Sequence, residues 1–322
     1  MGVDVLMHYT RHASSFAATW LGCWFLLYLV VWAVYPGLRR LLSNLHPATA
    51  SSTVLALMAL PFVTSLVATA LVFSPLLQQN WITNHYHSAD CENRFPLLRN
   101  GAAIAGVLGA TGLALTAMLM RFCSQLFYSL KLEAKLALLG ERHEQWYLLP
   151  HKERLVFTMG WLKNSIFITE GLLKHCERRD VDIILEHERE HARRKDNLRL
   201  LASKILILIV PRFLSRRFTD DLQLYTEAAC DLSTAKKHGA LNVAETLLRI
   251  QRLAPRSFNF FSKTLVSGFN GSEVEGRVLL LLQDKTTRRA GRFRPLLYAA
   301  GMLILAIVLV DPIHHGVEWL LE

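Results

Sequence analysis

The chain has 322 residues, of which 52% are hydrophobic, with a mean hydropathy of +0.26 and a formal net charge of +10. That mixture points to apolar blocks set apart from strongly basic ones, as in a membrane protein. No helix-turn-helix or zinc-finger spacing accompanies the charge, so no direct nucleic-acid partner is expected.

The leader MGVDVLMHYTRHASS holds a single Arg, and no small-residue cleavage site follows the apolar run after it, so the first span is expected to stay in the mature protein. Three apolar blocks, about residues 16–36, 53–77 and 101–120, carry no charged side chain and are long enough to cross a bilayer. A shorter fourth, 295–310, completes a set of four expected spans. Trp20, Trp24 and Trp32 in the first span are expected to face lipid.

The loop between the second and third spans contains HYHSADCE, where His85, His87 and Cys91 form a soft-plus-imidazole cluster able to bind copper or zinc as an external metal or redox sensor. A polar loop with no ligand is the plainer account of the same residues. Cys91 is also the one cysteine expected outside, since Cys23 and Cys123 belong to spans and Cys176 and Cys230 to the reducing side.

Basic residues set the orientation. Of the 36 Lys and Arg, five precede Arg121, 31 lie between Arg121 and Arg294, and none follows. The positive-inside rule therefore puts the long third segment in the cytoplasm and both termini outside. The cluster Lys285, Arg288, Arg289, Arg292 and Arg294 directly before the fourth span suits an anionic inner leaflet. The expected division is 1–121 for three spans, 122–294 for a cytoplasmic domain, and 295–322 for the last span and a short tail.

Within the cytoplasmic segment, 122–139 reads as a helix, and WYLLP, RLVFTMG and SIFIT read as strands of a small sheet. Next comes His187-Glu188-Arg189-Glu190-His191. Two histidines four residues apart stack on one helical face and can share a zinc ion, while Glu188 can take a proton from water there. Ile183 and Ile184 fall on the same stripe, so the histidines are expected to face inward. In the gluzincin pattern the third ligand is a Glu on a second helix; Glu227, in LYTEAACDLSTA, is 36 residues beyond His191. Asp231 follows it by one turn and can accept the free ring N–H of a ligating histidine. Tyr225, His175 and Arg277 are candidates for oxyanion or substrate contacts, and the SIFIT strand for an edge that takes substrate as an added strand.

Farther on, Lys204–Leu214 is too short to span; it is either a core helix or one lying on the membrane, and Pro211 should end or kink it. Residues 241–254 read as an amphipathic helix, and 257–272 as a loop that is a candidate lid.

GWLKNSIFITEGLL, LEHEREHARRKDNL, TEAACD and EVEGRVLLLL, in this order between a third and a fourth span, resemble the BlaR/MecR-type membrane zinc metallopeptidases, the signal-transducing antirepressor peptidases of bacteria. Arg193, Arg194 and Asp196 belong to that likeness. It implies one zinc per chain held by His187, His191 and Glu227, Glu188 as general base, Asp196 and Asp231 behind the ligands, and an inner-membrane location. It also implies a repressor-like protein substrate, with self-cleavage as an accompanying or alternative event and a second copy of the chain as a candidate partner. The best-known members add an external penicillin-binding domain after the fourth span, and none is expected here. The expected fold is thus a membrane α-helical protein of four transmembrane helices with a cytoplasmic α+β gluzincin-type zinc metallopeptidase domain. A quality-control membrane protease and a catalytically silent receptor are the alternatives.

Overall fold

A computed structural model describes residues 2–74, 100–144, 146–161, 164–253, 267–268, 274–282 and, farther on, 300, 301, 304, 305, 307–309 and 312. Three long helices carry the apolar blocks: α1 (Gly2–Leu42), α2 (Pro47–Val72) and α3 (Gly101–Leu139). Each is long and apolar enough to cross a membrane. At 1.5 Å per residue α3 runs about 58 Å, nearly twice the hydrocarbon thickness, because the expected 122–139 helix continues it without a break. The fourth expected span and the loop with His85, His87 and Cys91 lie mostly or wholly outside the described residues.

The described residues divide into two compact units. One comprises Met1–Arg40, Ala56–Met118 and Arg292–Glu322. Its helices bury small and aromatic side chains: Ala68 and Val72 pack with Cys23 and Leu309, and Trp20 meets Phe62 edge-on. Trp24 departs from expectation. It is only 6% exposed and sits beside Tyr28 within the unit, because an indole offers more packing area than a close helix contact leaves free for lipid.

The other unit comprises Leu41–Leu55 and Leu119–Gly291. It opens with β1 (Glu141–Arg142), β2 (Trp146–Leu149), β3 (Val156–Met159) and β4 (Ser165–Thr169), then α4 (Glu170–Leu173), α5 (Arg178–Arg194), α6 (Asp196–Leu206), α7 (Arg212–His238) and α8 (Ala240–Leu253). β5 (Ser267–Gly268) and α9 (Val274–Leu282) follow. The sheet order is β1-β2-β4-β3-β5, with β4 parallel to β2 and antiparallel to β3. The SIFIT strand is therefore an inner strand, not the expected edge. The outer side of β3 carries β5, which places Ser267–Gly268, from the candidate lid segment, in the sheet; the rest of that segment lies outside the described residues.

β3 and β4 are buried along nearly their whole length, so they read as continuous apolar runs. One face packs Leu149, Phe157, Met159 and Phe167 against Leu132 and Leu136 of α3. The opposite face packs Val156, Ile166 and Ile168 against Ile184 and Leu185 of α5. Gly171 permits the turn after β4: a Cβ there would lie 2.0 Å from the Lys152 carbonyl oxygen. Pro211 ends the KILILIV stretch as expected, standing as the N-cap of α7.

Candidate metal centre

Helix α5 holds the His-Glu-x-x-His stretch and is fixed at both ends. Glu177 and Asp180 form a capping box at its start, and Asp180 also accepts from Thr246 and Arg249 of α8. Lys195, at φ 54°, closes the other end in the left-handed conformation, strained for a residue with a Cβ, and turns the chain into α6. Between these ends His187, Glu188 and His191 are all buried.

α7 crosses α5 and brings Glu227 to the histidines. The two Nε2 atoms are 3.1 Å apart, and each lies 3.5 Å from a carboxylate oxygen of Glu227. A tetrahedral zinc ion at 2.0–2.1 Å from its ligands would separate those ligand atoms by about 3.3 Å, so the three donors already have the spacing of a zinc site. The tautomers agree. His191 Nδ1 lies 2.9 Å from Asp196 Oδ2, and His187 Nδ1 lies 3.0 Å from Asp231 Oδ1. With each Nδ1–H given to a carboxylate, both Nε2 lone pairs point at one another, an arrangement that calls for a cation between them.

Arg277, on α9, is fully buried and grips Asp231 through two hydrogen bonds of 2.8 and 2.7 Å, with Nη1 3.2 Å from Glu227. Burial disfavours its charge, but the facing Asp231 and Glu227 carboxylates raise its pKa. Burial likewise opposes ionised Glu227, yet His191 and Arg277 hold its carboxyl well below the usual range. Burial also opposes charge on the histidines, and there too the neighbouring carboxylates prevail, keeping both pKa values above the ordinary 6.5.

Glu188 behaves differently. Burial raises its pKa, the direction that suits a proton acceptor and donor near neutrality. Its Oε2 accepts a 2.6 Å hydrogen bond from Thr158 of β3, while Oε1 is buried without a hydrogen-bond partner among the described residues. Asn197 donates to the carbonyls of Thr158 and Gly160 and so holds β3 beside the motif helix.

The three candidates for oxyanion or substrate contact are placed differently. Arg277 is committed to the two acids. Tyr225 is buried, but it precedes Glu227 by two residues, about 200° around α7, so it occupies another face. His175 lies before the start of α5 and contacts Arg154 and the Gly171 carbonyl. Thr158, Cys230 and Arg199 were silent in the sequence. A lone Thr amid the apolar Val156–Met159 is the only trace the first leaves.

His191, Asp196 and Cys230 form a second cluster. Asp196 there already accepts from His191, Arg194 and Arg199, and burial pushes the Cys230 thiol up to about 11, so it sits as a neutral thiol. The Nε2 side is the metal site of choice.

Residues 134–264, about two fifths of the chain, match the model of peptidase family M48. No curated protein and no solved structure matches the chain. The matched stretch contains all three donors and Glu188, and it ends before Arg277. Together with the three apolar helices it supports a membrane metallopeptidase.

Proposed function

We propose that this protein is an integral-membrane zinc endopeptidase that cleaves a cytoplasmic protein substrate, a transcriptional repressor, in transmembrane signalling, with self-cleavage as an accompanying event. The observation that carries the peptidase assignment is the pair of Nε2 atoms facing each other beside Glu227, each histidine oriented from behind by its own carboxylate. The signalling part rests on the order of motifs between apolar spans and their likeness to the antirepressor peptidases. The basic excess after Arg121 supports a cytoplasmic peptidase domain in a bacterial inner membrane.

Zinc held by His187, His191 and Glu227 would supply a Lewis acid for the scissile carbonyl and acidify water beside it. The chain's own residues do the rest. Glu188 Oε1 takes the proton of the attacking water and returns it to the leaving amine, while the Thr158 hydroxyl holds Oε2 in place. Asp231 and Asp196 keep both imidazoles in the ligating tautomer, and Arg277 keeps Asp231 and Glu227 ionised and still.

Quality-control proteolysis of membrane proteins is the second reading, since the match to a general peptidase family fits it equally. The experiment is to produce the full chain with a candidate winged-helix repressor, and to supply casein in parallel. Wild type should cleave the repressor, and Glu188→Gln should keep one zinc per chain while losing cleavage by a factor on the order of 10² to 10⁴. Cleavage of casein with the repressor untouched would favour quality control. Undiminished cleavage by Glu188→Gln would remove the enzymatic assignment.

A further inference from the structure

Asp196 does more than accept from His191. Its Oδ2 also takes a 3.3 Å bond from Arg194 Nε, and its Oδ1 a 3.2 Å bond from Arg199 Nη1. Both guanidiniums continue to the start of α2. Arg199 Nη2 donates to Ser51 Oγ at 2.7 Å and to Ser52 Oγ at 3.2 Å, and Arg194 Nη2 lies 3.4 Å from Ser51 Oγ. Ser51 and Asp196 are both fully buried. Residues 41–55 belong to the same compact unit as the metal centre, and α2 runs on from them, unbroken, into one of the three candidate membrane spans.

Two arginines on one aspartate leave a partly buried positive excess, and Arg199 feels it: burial first, then Arg194, lower its pKa. Buried cations are tolerated only when their remaining N–H groups find acceptors. Ser51 and Ser52 are those acceptors. Without them the guanidiniums would turn toward other oxygens, and Asp196 would lose the two bonds that fix its carboxylate plane. His191 is oriented through that carboxylate, across the strained Lys195 turn.

We propose that Ser51 and Ser52 are positioning residues for the metal site. Through Arg199 and Arg194 they fix Asp196, and through Asp196 the ring of His191, so that the placement of the start of α2 sets the grip of the site on zinc. This rests on the metallopeptidase reading above and adds a route by which a displacement of one apolar helix would reach the reaction centre.

The test is zinc affinity of the full chain in detergent, measured by competition with a fluorescent chelator, with no substrate present. The double variant Ser51→Ala, Ser52→Ala should bind zinc on the order of tenfold more weakly, the scale seen when groups behind a ligating histidine are removed. Ser51→Thr keeps an acceptor and should bind as wild type does, which a requirement for small side chains alone would not give. Arg199→Lys keeps the charge but not the fork that bridges Asp196 to the serines, and it should weaken binding as well. It also serves if the double variant fails to melt cooperatively. Affinity within twofold of wild type in the alanine pair, or in Arg199→Lys, overturns the coupling. Absence of zinc binding by the wild type overturns the metallopeptidase reading itself and this inference with it.

Discussion

In the unit built from Met1–Arg40 and Ala56–Met118, Ser14 and Ser15 both donate to the carbonyl of Arg11, three and four residues back, and Ser65 donates to Phe62. In the other unit Thr158 reaches Glu188 30 residues on, Arg277 reaches Asp231 across 46, and Arg199 reaches Ser51 across 148. The first kind of bond costs little to form, because the helix already places donor beside acceptor. The second kind exists only once the whole unit has folded, and it holds charges that would be intolerable alone. Polar groups that satisfy themselves locally adapt a helix to an apolar surrounding; polar groups that satisfy one another at a distance build a reaction centre.

The strongest way to break that contrast is Arg277→Leu. It would leave Asp231 and Glu227 buried beside each other without a cation, and breaking a buried ion pair by removing one partner costs about 3–5 kcal/mol. Denaturant unfolding of the metal-free full chain should show a loss of that size, and excess zinc should recover part of it, because the ion supplies the missing positive charge to Glu227. A loss below about 1 kcal/mol would mean that the acids are hydrated and the network is not cooperative.

Protons offer the next largest effect. His187 and His191 have pKa values raised above 6.5, and each must give up the proton on Nε2 to bind metal. Raised values mean that protons compete from above pH 6.5 downward, while the depressed carboxyl of Glu227 stays ionised. Apparent zinc affinity should therefore already be falling above pH 6.5 as the pH is lowered, by about tenfold per pH unit for each proton displaced. Onset only below pH 6.5, read from chelator competition across a pH series, would show that the carboxylates do not act on the rings as their distances imply.

How much of this was legible in the sequence follows the same division. His187 and His191 stand four apart, as do Glu227 and Asp231, so helical periodicity alone gives each pair a common face. The strands WYLL, VFTM and SIFIT and the run-on of α3 were equally local signals. What failed was whatever depended on partners distant in the chain. Trp24 looked lipid-facing but is buried by the packing of its unit, β4 looked like an edge until β2 and β3 flanked it, and β1 and β5 are two-residue strands made only by pairing.

Thr158→Val sharpens the contrast at the level of a single bond. The hydroxyl stabilises ionised Glu188, one of the influences that lower a pKa otherwise raised by burial. Removing it should move the acid limb of kcat/KM to higher pH and reduce the rate at neutral pH about tenfold, the worth of one hydrogen bond to a charged group. An unchanged limb, with peptide hydrolysis followed from pH 5 to 8, would mean that another donor takes the place of Thr158.

The smallest expected effect belongs to the other unit. Ser14→Ala removes a hydroxyl whose acceptor, the Arg11 carbonyl, also receives the bond from Ser15. No charge is stranded, no acceptor is left bare, and the methyl that remains is at home in an apolar packing. Thermal unfolding of the full chain should shift by less than about 1 kcal/mol, in line with side-chain hydrogen bonds measured between helices in membranes. A loss of 3 kcal/mol or more would place Ser14 in a long-range network like that of Asp231, and the two units would then bury their polar groups by the same rule.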